Sequence, residues 1–144
     1  MRRVVAALLA LALMAQAPAP RVPEGVHKND NGPPELCGFT GRDLADLERK
    51  VIASPGFVEE NSNDRFRVFN RTNDYVQFVF PRAGALGFPM ATCRKVSENP
   101  DGTSSISREM RCDGTREECD DIFIQFRELD ESIMGRLSSP ETQT

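Results

Sequence analysis

An α+β fold is what this sequence predicts: a helix, a four-stranded antiparallel sheet in meander order, and a long C-terminal amphipathic helix packed on the sheet. Three observations carry the prediction. Apolar residues recur at helical spacing in two stretches, and the region between them alternates with a period of two. That middle region contains turn chemistry and leaves no room for a parallel crossover. Four cysteines follow a basic and then apolar amino terminus, which points to a fold stapled by two disulfides.

Arg2 and Arg3 precede an apolar run from Val4 to Met14 and small residues around Ala15 to Ala19, the pattern of a cleaved export signal. The run is too short to span a bilayer, which takes about twenty residues. Two cuts compete, after Ala15 and after Ala17; Pro18 disfavours the second, so residues 1–15 are assigned to the signal with an end between 15 and 19. No cysteine follows the run closely, so no lipid anchor is expected. A soluble product in a bacterial periplasm or outside the cell is the expectation. Losing Arg2 and Arg3 lowers Lys+Arg from 18 to 16 against 22 Asp+Glu, which takes the net charge from −4 to −6. Such a surface does not suit nucleic acid.

Residues 16–36 are rich in Pro, Gly and Asn without apolar periodicity and read as a flexible leader. One domain is expected over 37–137. Thr40 is the expected cap of a helix starting at Gly41, with Asp43 three residues on and Leu44, Leu47 and Val51 on one face. Ser54-Pro55-Gly56 ends it, Phe57-Val58 packs beneath, and Glu59 to Asp64 reads as a loop. Phe66 and Val68 then alternate with Arg65 and Arg67. Thr72-Asn73-Asp74 makes a turn, and Tyr75 to Phe80 forms a central strand with Val76, Phe78 and Phe80 on one side. Residues 82–89, RAGALGFP, are a loop that is either folded onto the body or exposed for binding, and Leu86 and Phe88 are its candidate partner contacts.

Asn99-Pro100-Asp101-Gly102 specifies a three-residue hairpin loop with a bulge, which sets a register. If Asn99 pairs with Thr103, Val96 faces Ile106, Arg94 faces Arg108 and Thr92 faces Met110. Cys93 then points away from the side that carries Cys112. Thr115 and Glu118 form a capping box for the last helix, whose stripe is Cys119, Ile122, Phe123, Phe126, Leu129, Ile133 and Leu137. Residues 138–144 read as a frayed tail.

Four cysteines allow three pairings. The register argues against Cys93–Cys112, which would cross the sheet, and favours Cys112–Cys119 with Cys37–Cys93; a one-residue slip would reopen the third. A zinc site is disfavoured because no C-x-x-C pair exists and the single histidine, His27, lies in the leader. Thioredoxin-type redox chemistry lacks its motif for the same reason. Ser–His–Asp and Cys–His hydrolysis need a histidine inside the fold. Carboxylate pairs exist at Glu59 and Glu60, Asp120 and Asp121, and Glu128 and Asp130, but nothing in the sequence places them across a cleft. No enzyme, metal or cofactor is therefore expected. Arg94 opposite Arg108 needs neutralising, either by snorkelling at the sheet margin to pair with helix carboxylates such as Asp121, Glu128 or Asp130, or by a bound anion, so both arginines are candidate anion contacts. Asn70-Arg71-Thr72 matches a glycosylation sequon, read as chance in a bacterial product.

Phe80-Pro81 through Phe88-Pro89 to Cys93-Arg94, then a strand ending in Arg111-Cys112 and a helix bearing Cys119, resembles small exported bacterial proteins of unknown function. The resemblance implies export and a strand–strand–helix ending, and no activity. The functional expectation is a non-catalytic binding or scaffold module that contacts another envelope protein. Its alternatives are an inhibitor of a secreted hydrolase, and a small-ligand carrier or enzyme using the Arg-lined sheet face.

Overall fold

The computed structural model describes Val26–Lys28 and residues 32–138; the expected signal, its cleavage site and the residues after Ser138 lie outside these. Among the described residues the fold is α+β. The main sheet contains β1 (Val26–Lys28), β4 (Val58–Glu59), β5 (Phe66–Arg71), β6 (Val76–Pro81), β7 (Met90–Glu98) and β8 (Ser104–Cys112), in the order β1-β8-β7-β6-β5-β4. Helix α1 (Leu44–Ala53) packs on one face and α2 (Arg116–Ser138) on the other. A small hairpin, β2 (Glu35–Leu36) with β3 (Phe39–Thr40), leads into α1.

Four strands were expected, and the antiparallel part has five. The addition is β4, which pairs Val58 with Asn70 and Glu59 with Phe69. Two residues are too few to show a period, so only the free edge of β5 reveals them as a strand. The absence of a parallel connection also fails. β1 runs parallel to β8, in a segment read as flexible leader, because the outer edge of β8 offers its backbone groups a partner. Leader residues nearer the domain are structural as well: Leu36 is fully buried in the core, and the Gly32 carbonyl accepts a hydrogen bond from Arg111 Nη1 at 2.8 Å.

Helix α1 starts later than expected. Asp43, not Thr40, is its N-cap, and its carboxylate accepts from the Asp46 N–H at 2.7 Å. Gly41 is instead pressed against the helix, where a Cβ would lie 2.6 Å from the Leu47 nitrogen. Leu44, Leu47 and Val51 are buried as their spacing requires, and Ser54 closes the helix. Beneath it, Phe39, Phe57 and Phe78 meet edge to face with centroids 5.5 to 5.8 Å apart. Phe69, Phe80, Ala91 and Cys93 complete this core.

The Asn99–Gly102 turn holds the predicted register. Asn99 N–H donates to the Thr103 carbonyl at 2.7 Å, and Val96↔Ile106, Arg94↔Arg108 and Thr92↔Met110 are the observed pairs. Cys93 and Cys112 consequently face opposite sides. Cys37–Cys93 closes on the α1 face and Cys112–Cys119 on the α2 face, with Cα separations of 6.2 and 5.8 Å.

Helix α2 follows its expected stripe only at first. Thr115 Oγ1 accepts from the Glu118 N–H, and Cys119, Ile122 and Phe126 are buried against Val68, Val79, Met90 and Met110. Phe123 and Ile133 are half-buried, while Leu129 and Leu137 are exposed. The helix therefore seals one part of its sheet face and leaves another part open. Ser138, assigned to the tail, is its last helical residue.

Candidate functional site

Two surfaces hold the residues singled out by sequence, and they differ in construction. The first is the connection between β6 and β7. Its backbone is fixed internally by Ala85 N–H to the Arg82 carbonyl and Phe88 N–H to the Ala85 carbonyl, at 3.0 and 3.2 Å. It is tied to the body by Asp113 N–H, which donates to the Pro89 carbonyl at 2.8 Å. The Cys112 sulfur lies 3.5 Å from the Gly87 carbonyl oxygen; this is a packing contact, because a disulfide sulfur has no proton to donate. Gly87 has φ +80°, a conformation that favours glycine, and a Cβ there would lie in tight contact with Ile122 Cγ2 at 3.3 Å. Folded and exposed are the two expectations for this loop, and each holds for a different part. The backbone is braced while Leu86 and Phe88 remain 38% and 45% exposed.

The second surface is the open part of the α2 face. Sheet register lays a row of polar residues across it, with Asn70 opposite Gln77, Gln77 opposite Arg94, and Arg94 opposite Arg108. At one end Gln77 Nε2 donates to Asn70 Oδ1 at 2.9 Å, and Asn70 Nδ2 donates to Glu60 Oε2 at 3.3 Å. At the other, Arg108 is only 1% exposed and holds Asp130 through two parallel bonds, Nε to Oδ2 at 2.6 Å and Nη2 to Oδ1 at 2.7 Å. Arg108 Nη1 also donates to Thr92 Oγ1, and its guanidinium lies over the Phe126 ring at 4.5 Å. A helix carboxylate was the expected neutraliser of Arg108, and Asp130 is the one that serves. Its position is the correction: the pair is buried beneath α2 instead of snorkelling at the sheet margin, because the register points Arg108 into the interface.

Arg94 is treated differently. It is half-buried and, among the described residues, has no hydrogen-bond or ion-pair partner. Burial pushes its guanidinium below the usual arginine value, the like charge of Arg108 adds to that, and Asp130 opposes it. Arg94 lines a cavity of about 180 Å³ beside Asn70, Tyr75 and Gln77. Gln77 also lines a second cavity, of about 320 Å³, over Val68 and Val79 and bounded by Gln125 and Leu129 of α2. The two cavities share Gln77 as a lining residue and together are termed the α2-face trough.

The carboxylate pairs are largely committed to cations or to structure. Glu59 accepts from Arg67, Asp130 from Arg108 and Glu60 from Asn70, and Asp120 lies 3.8 Å from Arg116. Among the described residues no group of three His, Cys, Asp or Glu side chains converges as a metal site, and no helix is long and apolar enough to cross a membrane. Gln77 and Asn70 escaped the sequence reading as site residues. A signal existed for Gln77, the one amide inside the apolar run Val76 to Phe80. No protein-family model matches the chain, and no curated protein or solved structure is significantly similar to it.

Proposed function

We propose that this chain is an exported, non-catalytic binding module that captures another envelope protein through Leu86 and Phe88. One observation carries the reading: two large apolar side chains are presented to solvent by a loop whose backbone is already immobilised. Exposed apolar residues on a flexible loop cost ordering entropy when a partner binds, and a braced loop avoids most of that cost. Export is supported by the amino-terminal pattern and by commitment of all four cysteines to disulfides, which persist in oxidising compartments.

The test is affinity capture from an envelope fraction with the oxidised protein and with the Leu86→Asp/Phe88→Asp double variant. The expected result is a discrete partner held by the parent and lost by the double variant, whose circular dichroism and thermal midpoint stay those of the parent. Equal capture by both removes the loop as the contact. The same braced loop supports a second reading, inhibition of a secreted hydrolase. In that case the captured partner is itself a hydrolase and loses activity on titration with the parent alone.

A further inference from the structure

The α2-face trough carries a site independent of the loop. Two cross-strand neighbours and one helix carboxylate determine the charge at one end. Arg94 and Arg108 are directly opposed and Asp130 is the carboxylate acting on both, so one positive charge remains in excess at this end of the polar row. Asp130 already gives both oxygens to Arg108. The excess therefore falls on Arg94, which has no hydrogen-bond or ion-pair partner among the described residues and lines a cavity whose one carboxylate, Glu60, is held by Asn70 at the far end of the row. Like charges directly opposed on a sheet are unfavourable unless something neutralises them, and a partly desolvated guanidinium gains more from an anion than one in bulk water.

The rest of the trough narrows the class of anion. From Arg94 the surface passes over Gln77 to an apolar floor of Val68 and Val79, walled by Ile122 and Leu129. Leu129 is 42% exposed because nothing in the described fold covers it on this flank. A planar guanidinium fork matches a carboxylate through two parallel bonds. A single excess charge matches a monoanion better than a dianion, which would also meet the fixed charges of Asp130 and Glu60. The larger cavity, about 320 Å³, lies at the small end of known ligand sites, which start at about 300 Å³. We propose that the trough binds a small amphiphilic monocarboxylate, with its carboxylate on Arg94 and its apolar body along Val68, Val79 and Leu129.

The experiment uses the oxidised protein, isotope-labelled for NMR, with octanoate, octylamine and acetate as probes. Octanoate is expected to shift the amides of Gln77, Val79 and Arg94 in a saturable way. Octylamine and acetate should bind at least tenfold more weakly, since one lacks the charge and the other the body. Arg94→Gln should weaken octanoate at least tenfold while leaving the urea midpoint unchanged or raised, because it relieves the repulsion from Arg108. Equal binding of octanoate and octylamine, unaltered octanoate affinity in Arg94→Gln, or shifts confined to the α1 face would each overturn the proposal. So would severe destabilisation by Arg94→Gln, which would make Arg94 a structural cation. The Leu86→Asp/Phe88→Asp variant should keep full octanoate binding, so failure of the loop reading and failure of this one are separately visible.

Discussion

The two faces of the sheet start from similar material and end differently. Each receives one helix, one disulfide and a cluster of apolar side chains, yet the α1 face packs interlocked aromatic rings beneath its helix while the α2 face holds a cavity of about 320 Å³ beside its own. On the α1 face the aromatic residues interlock and the arginines are answered. Arg67 holds Glu59 and Glu48, and Arg71 holds Asp74 while lying over the Phe57 ring. On the α2 face the helix covers the sheet through Phe126, and beyond it Leu129 is exposed and Arg94 is unanswered. A helix that seals only part of its face leaves space where a ligand can be recognised.

The largest expected effect lies at Arg108. Asp130→Ala removes its ion-pair partner and leaves a buried cation, so it should cost about 3–5 kcal/mol in urea unfolding, and Arg108→Met with Asp130→Leu should recover most of that. A loss below about 1 kcal/mol would mean that this end of the α2 face is as open as the Arg94 end.

The disulfides rank next. Restricting the unfolded chain over a separation of 56 residues contributes about 4 kcal/mol for Cys37–Cys93, whereas the separation of 7 gives about 2.5 kcal/mol for Cys112–Cys119. Replacing each pair by serine and comparing unfolding midpoints should show the larger loss on the α1 face. The reverse order would show that anchoring α2 matters more than closing the longer loop.

The smallest effect is in acid. Asp46 is held well below the usual carboxylate range, chiefly by the hydrogen bond from Arg42, while Arg67 lowers Glu59 and Arg71 lowers Asp74. A depressed folded-state pKa gives stability that is present above the unfolded carboxylate value near 4 and is lost as the pH falls through the folded value. Urea midpoints should therefore fall below about pH 4, and Asp46→Asn should flatten that fall. An unchanged acid slope in Asp46→Asn would shift the acid sensitivity away from α1.

Legibility in the sequence followed the range of the interaction. Asn99 to Gly102 is a local signal that sets backbone angles by itself, and alternation propagates its register along both strands as far as Cys93 and Cys112. The disulfide pairing was readable for that reason. Leu36, β1 and β4 were not, because each owes its place to a distant partner: Leu36 to the core beneath α1, β1 to the edge of β8, and β4 to the edge of β5. Arg94 and Arg108 were legible as a pair, but not as a paired cation beside an unpaired one.

The chain by itself determined its α+β order, the hairpin register and which cysteines could meet, since period, turn chemistry and spacing act within reach of the local backbone. Tertiary structure alone decided how far α2 lies on the sheet. The line of that helix sends Asp130 to Arg108 and leaves Arg94 without an acceptor, and it separates a buried Phe126 from an exposed Leu129 three residues later. Equivalent positions on one helical stripe become core or groove according to where the helix axis runs. That path is set by packing against residues far away in sequence, which no local pattern encodes.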